Sequence, residues 1–253
     1  MGPEDDTMKA QPSHVCLCFT SRIRRVLPLL FSLVTPGAIG FGATFVDGFE
    51  GATLDPFWTV TQQSGAITYN GTTVHAGAQS LQFSSAVTGQ NKYLLLAHQF
   101  PSLQEGEVSV WLYDTGAPSG NANTMYLYLV TASGDGMYIL GPDHGSALYG
   151  YGMDGWGSYN NSVARTVGWH EFRMLGKANE RKLWVDGTLI YSDTGEGRFD
   201  LVQFGMIAPD GRPAWTSYFD DFSINSVPEP GSTLAVASLG LLGFAAMRRL
   251  RRA

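Results

Sequence analysis

Gly168-Trp169-His170-Glu171-Phe172-Arg173-Met174, followed by Lys182-Leu183-Trp184-Val185-Asp186-Gly187-Thr188-Leu189-Ile190, decides how the chain folds. The second run alternates apolar and polar residues and then meets Asp186-Gly187, a pair that tolerates positive φ. A strand, a tight reversal and another strand therefore follow one another. Outward from this stretch the same period of two recurs in Ser80-Leu81-Gln82-Phe83-Ser84, in Glu107-Val108-Ser109-Val110-Trp111-Leu112-Tyr113 and from Met125 to Val130. Asp114-Thr115-Gly116, Ser133-Gly134-Asp135-Gly136 and Asp210-Gly211 supply turns between such runs. No window of a dozen residues between 44 and 226 carries a capped 3.6-residue apolar period. About a dozen short strands without a helix bury one face each by pairing into two sheets, so the expectation is an all-β, antiparallel, two-sheet sandwich.

The two ends read differently. Arg22, Arg24 and Arg25 precede an apolar stretch from Val26 to Leu33, and small residues follow at Gly37, Ala38, Gly40, Gly42 and Ala43. That is the order of a secretory signal peptide, with cleavage expected between Gly40 and Thr44. Pro28 inside the short apolar core argues against an uncleaved anchor, and Met8, after the acidic Glu4, Asp5 and Asp6, is a second candidate initiator. At the other end Pro228-Glu229-Pro230 opens a tail whose apolar run, Leu234 to Met247, is followed by Arg248, Arg249, Arg251 and Arg252. Counted from Ser232 the run is at the short end of the ~20 residues that span a bilayer as a helix, and the arginines are held on the cytoplasmic side. The domain expectation is a leader over 1–43, a sandwich over 44–226 and a sorting tail with a transmembrane helix over 227–253.

This tripartite ending resembles the PEP-CTERM sorting signal of bacterial exported proteins, in which a Pro-Glu-Pro triplet, a hydrophobic helix and a basic cluster occur in that order. The resemblance implies recognition by an exosortase-type membrane transpeptidase, cleavage near Pro228 to Pro230, and an exported protein that is transiently membrane-anchored before reaching the envelope or matrix. The alternative is a plain C-terminal anchor after a proline linker.

Both cysteines, Cys16 and Cys18, lie in the leader, so the exported segment has no disulfide. From Phe41 to Val227 the chain carries 8 Lys and Arg against 18 Asp and Glu, a net charge of −10. Such a segment repels phosphate backbones and anionic polymers, which makes nucleic acid a poor partner and leaves neutral glycans, calcium or proteins.

Several stretches resemble the concanavalin A-like or laminin G-like jelly roll. Val46-Asp47-Gly48-Phe49-Glu50 with Leu54-Asp55-Pro56-Phe57-Trp58 looks like its first strand and "W" turn, and the Trp169-His170 to Asp186-Gly187 stretch looks like its hairpin. Tyr218-Phe219-Asp220-Asp221-Phe222-Ser223-Ile224 looks like its closing strand, which lies beside the first. Galactose-binding-like modules share the opening, the His75-Ala76-Gly77-Ala78-Gln79-Ser80-Leu81 pattern and the Asp-Asp ending, and are the alternative fold. Trp184 and Phe222 are expected to be buried.

Enzymes of this fold act mostly on polysaccharides, and retaining glycosidases place two carboxylates ~5–5.5 Å apart. The Glu-x-Asp-x-x-Glu strand of laminarinase-type hydrolases is absent, and Glu105 and Glu107 have no further acids in their strand. Glu171 and His170 are adjacent and so point to opposite sheet faces. Lyase clusters of Arg, His, Tyr and Gln are missing, with Arg165 and Arg173 isolated, and there is no Gly-x-Ser-x-Gly. No catalytic residues are expected. His75, His98, His144 and His170 lack zinc spacing. A structural calcium is a possible cofactor, held by Asp47, Asp220 and Asp221 if first and last strands pair. The ligand surface expected from composition is Tyr149, Tyr151, Asp154, Trp156, Tyr159 and Asn160, aromatic rings and polar groups interleaved with glycines. Alternation of glycine and aromatic residues also suits a strand passing beneath another. The expected function is non-catalytic binding of a polysaccharide or matrix partner. A purely structural surface protein and a polysaccharide-active hydrolase or lyase are the alternatives.

Overall fold

The computed structural model describes residues 44–63, 65–86, 92–116, 124–131, 136–141, 147–153, 163–208 and 213–228. Every regular element among them is a strand: β1 (Thr44–Asp47), β2 (Thr59–Gln63), β3 (Gly65–Asn70), β4 (Ser80–Ser85), β5 (Lys92–Asp114), β6 (Thr124–Thr131), β7 (Gly136–Leu140), β8 (Leu148–Met153), β9 (Val163–Ala164), β10 (Gly168–Lys177), β11 (Glu180–Val185), β12 (Thr188–Asp193), β13 (Phe199–Ala208) and β14 (Thr216–Pro228). The leader and the tail beyond Pro228 lie outside the described residues, and so does the helix expected from Leu234 to Met247.

One strand joins the two layers. The first part of β5 pairs with β2 and β13, and from there the order runs β13-β6-β7-β8-β9. Its last eleven residues pair instead with β14 on one side and β10 on the other, followed by β11 and β12. β14 carries β4 beside its start and β1 beside its later residues, with Asp47 opposite Phe222. First and last strands are therefore neighbours, as the jelly-roll resemblance implied.

The layers meet through alternate side chains. Val108, Val110 and Leu112 of β5, Phe172 and Met174 of β10, Leu183 and Val185 of β11 and Phe219, Phe222 and Ile224 of β14 are buried. Phe204 of β13 receives them from the opposite layer, with ring centroids at 5.2 Å from Phe219, 5.7 Å from Phe222, 6.2 Å from Phe83 and 5.1 Å from Trp58. This aromatic centre does the work that no disulfide is present to do.

The deciding hairpins form as read. Asp186 (φ 49°) and Gly187 (φ 72°) are both left-handed, the two-residue turn whose twist matches the flanking strands. Trp184 corrects an expectation. Leu183 and Val185 fix the inward phase of β11, so Trp184 faces outward, half-buried, with the Arg173 guanidinium 4.6 Å over its ring. Phe222 is fully buried as expected.

Candidate functional site

The outward face of the layer built from β14, β5, β10 and β11 collects most of the exposed aromatic surface. On β5 the alternation that buries Val108, Val110 and Leu112 turns Glu107, Ser109, Trp111 and Tyr113 outward. Register then aligns them with neighbours. Tyr113 lies opposite Tyr218 on one side and Trp169 on the other, and Trp111 lies opposite Asp220 and Glu171. Ser109 lies between Ser223 and Arg173, and Arg173 is paired with Trp184. Strands ~4.8 Å apart and rows two residues apart give a face on the order of 14 Å in each direction.

Its rings contact edge to face: Tyr113 is 5.4 Å from Trp169 and 5.9 Å from Tyr218. The His75 ring stacks on Trp111 at 3.7 Å and meets Trp169 at 5.6 Å. His75 is brought here by the loop before β4. Its backbone N–H donates to Asp220 Oδ2 at 2.9 Å, and its Nδ1 is 2.5 Å from Asp221 Oδ2. Gly77 (φ 72°) turns this loop, and Ala78 N–H donates to Glu50 Oε1. Asp221 itself takes φ 44° where the pairing of β14 with β5 shifts register, a bulge that turns the two successive acids toward the loop. Burial pushes the Asp220 carboxyl above its ordinary range, opposed by the backbone N–H groups of His75 and Asp221.

The three acids considered for calcium are thus met by donors. Asp47 Oδ1 accepts from Phe49 N–H and Oδ2 from Trp58 Nε1, both at 2.8 Å, which closes the "W" turn. Asp220 Oδ1 accepts from Asp221 N–H. Asp220 and Asp221 share the His75 loop, whereas the Asp47 carboxylate is taken by the turn. Among the described residues no group of three or more His, Cys, Asp or Glu is placed to hold a metal ion.

Tyr149 and Tyr151 are core residues, which corrects the exposed stacking role expected of them. Tyr149 is fully buried, and its hydroxyl donates to Asp114 Oδ2 at 3.2 Å. Burial first, and Asp114 second, hold that phenol protonated far above its ordinary range. Arg165 binds the same carboxylate through Nε at 2.8 Å and Nη2 at 3.0 Å. Tyr151 packs on Tyr191 at 4.9 Å across the layers. The glycines between them serve close approach: a Cβ on Gly152 would stand 1.9 Å from the Tyr138 ring. Asp154, Trp156, Tyr159 and Asn160 lie outside the described residues, as do Glu229, Pro230, Arg248, Arg249, Arg251 and Arg252. His170 points inward, with Nδ1 2.6 Å from Asp186 Oδ2, while Glu171 points outward, so they form no acid-base pair.

The outer aromatic face was legible in part. Trp111 and Tyr113 occupy the polar phase of an alternating strand, and that is the signal that marks them as outward; their alignment with Trp169 and Tyr218 depends on register, which the sequence does not state.

Comparison with known proteins agrees with this picture. The PEP-CTERM protein-sorting motif matches residues 226–252. No curated protein matches the chain by sequence. Among solved structures, the "Cellulose induced protein, Cip1" is similar with a TM-score of 0.55 at 19% identity, over 71% of this chain and 96% of that one. The "Apo Crh5 transglycosylase" gives 0.53 at 17% identity, over 74% and 85%. A "Sialidase" gives 0.53 at 11% identity, over 79% of this chain and 20% of that one. At these identities the likeness shows the fold, a concanavalin A- and galectin-like jelly roll. The chain is a β-sandwich that ends in a PEP-CTERM motif, a C-terminal sorting signal for export and transient membrane anchoring in the cell envelope.

Proposed function

We propose that this protein is an exported, non-catalytic module that binds a neutral, hydroxyl-rich glycan on the outward face of β14, β5, β10 and β11. The observation that carries the reading is the group Trp111, Tyr113, Trp169 and Tyr218, half-buried on a face whose other members are Ser109, Ser223, Glu107, Glu171 and Arg173. Half-exposed rings offer apolar surface to sugar faces, and hydroxyl and carboxylate groups beside them accept and donate to hydroxyls. Charge decides the class of glycan. Arg173 is engaged over Trp184 and lies 3.6 Å from Glu107, and the exported segment is strongly acidic, so a polyuronate is disfavoured.

The test is titration of residues 44–228, which hold every described strand, with a soluble neutral β-glucan and with alginate, followed by tryptophan fluorescence. Saturable quenching with the neutral polymer alone supports the reading. Release of shortened sugars would point to the hydrolase or lyase alternative. The stacking of His75 on Trp111, which covers one ring with the protein's own side chain, favours the structural reading without a ligand; no response to either polymer would select it.

A further inference from the structure

The sorting motif begins inside the folded domain. Ser226, Val227 and Pro228, the first residues matched to it, are also the last rungs of β14, opposite Gly106, Glu105 and Gln104 of β5. Ser226 is 2% exposed and its hydroxyl donates to Gln104 Oε1 at 3.3 Å. Gln104, 3% exposed, donates in turn to Ser102 O at 2.8 Å. The strands touch closely here. A Cβ on Gly106 would stand 2.2 Å from Asn225 O and 2.5 Å from Ser226 Cα, so glycine lets β14 lie directly on β5. On the other side β1 accompanies β14 only as far as Asn225, opposite Thr44.

We propose that these rungs form a lock that controls access of the processing transpeptidase to the triplet; the inference rests on reading the tail as an exosortase-type substrate. An enzyme that grips an extended peptide uses its main-chain N–H and C=O groups, and those of residues 226–228 face β5. Cleavage near Pro228 to Pro230 breaks one peptide bond. The upstream acyl group passes to a nucleophile of the transpeptidase, whose proton goes to the departing amine. The competent state of the chain is therefore the minor one in which the end of β14 has frayed, and the apparent affinity falls with its population. The same geometry fixes the domain's attitude. β1 starts beside the end of β14, so the chain enters and leaves the sandwich at one end, and the row of Tyr218, Tyr113 and Trp169 lies toward the other.

The experiment follows loss of the tail from the full chain by pulse-chase and intact mass, in a host expressing the matching transpeptidase. Wild type is compared with a chain carrying six Gly and Ser residues between Val227 and Pro228, which moves the triplet off the sheet. The insertion should speed processing about tenfold, the factor that opening one or two hydrogen-bonded rungs represents. A second measurement, amide exchange in the uncleaved chain, should show the Val227 end of β14 opening before Ile224. Equal processing rates overturn the lock while leaving the sorting reading intact. Retention of Arg252 in both chains overturns the sorting reading, and the lock with it.

Discussion

Replacing Phe204 by alanine tests whether the two layers meet where the structure puts them. The ring is fully buried on β13 and sits among Phe49, Trp58, Phe83, Phe219 and Phe222, which come from four other segments of the chain. Truncation leaves a void of up to about 100 Å³, which at about 24 cal/mol per Å³ costs about 2.4 kcal/mol. The lost transfer of a buried aromatic ring adds about 2 kcal/mol. The expected loss of about 4 kcal/mol is a large share of the roughly 5–15 kcal/mol that holds a domain together. Trp184→Ala is the internal control. That ring faces outward and loses mainly its contact with Arg173, worth about 0.5–1 kcal/mol at an exposed site. Urea unfolding followed by far-ultraviolet circular dichroism gives both values, with unchanged m confirming that stability alone has moved. A loss below about 1 kcal/mol for Phe204→Ala, or an equal loss for Trp184→Ala, would refute the assignment of inner and outer faces.

Other perturbations give separate readouts. Asp114→Ala removes the buried partner of Arg165, Tyr149 and Gly116 N–H and should cost about 3–5 kcal/mol in the same assay; a loss under about 1 kcal/mol would contradict a stabilising role. The Arg181 guanidinium holds the Asp193 carboxyl well below the usual carboxylate range. Its stabilisation is therefore present above about pH 4 and lost as pH falls toward the folded value; urea midpoints between pH 5 and 2 should fall less steeply in Asp193→Asn, and parallel slopes would dismiss the linkage. Burial and Asp193 push the Tyr191 phenol up to about 12, so its contribution persists below about pH 10 and fades as pH rises through the folded value. Tyr191→Phe should flatten that alkaline loss, and an unchanged alkaline profile would speak against it. Chelation by EDTA should leave the melting temperature unchanged because N–H donors already meet Asp47, Asp220 and Asp221; a drop reversed by calcium would place a cation there.

Local chemistry carried the sequence reading furthest where a period of two met a turn signal. The β10 to β12 stretch, the Asp186-Gly187 reversal and the pairing of β1 with β14 needed nothing beyond alternation and the jelly-roll resemblance. Composition misled where burial depends on partners. Tyr149 and Tyr151 resemble ligand-binding residues in a glycine-rich run, yet Asp114 and Tyr191, distant in sequence, bring both into the core. Trp184 failed for the opposite reason: the largest apolar residue of β11 was taken for the inward one, although Leu183 and Val185 set the phase. The aromatic face needs four strands in register, and single-chain periodicity gives the side each residue faces without its neighbour across the sheet.

The central claim is that the outward aromatic face, and not the core or the tail, holds the glycan. Trp169→Ala puts it to the test, since Trp169 touches Tyr113 and His75 but stands on the outer phase of β10, away from the buried Phe172 and Met174. Thermal stability and neutral-glucan binding should be measured on the same sample. A Kd raised about thirtyfold or more, as expected for loss of an aromatic anchor worth about 2 kcal/mol, with a melting temperature close to wild type, is the predicted result. An unchanged Kd in the folded variant would contradict the claim.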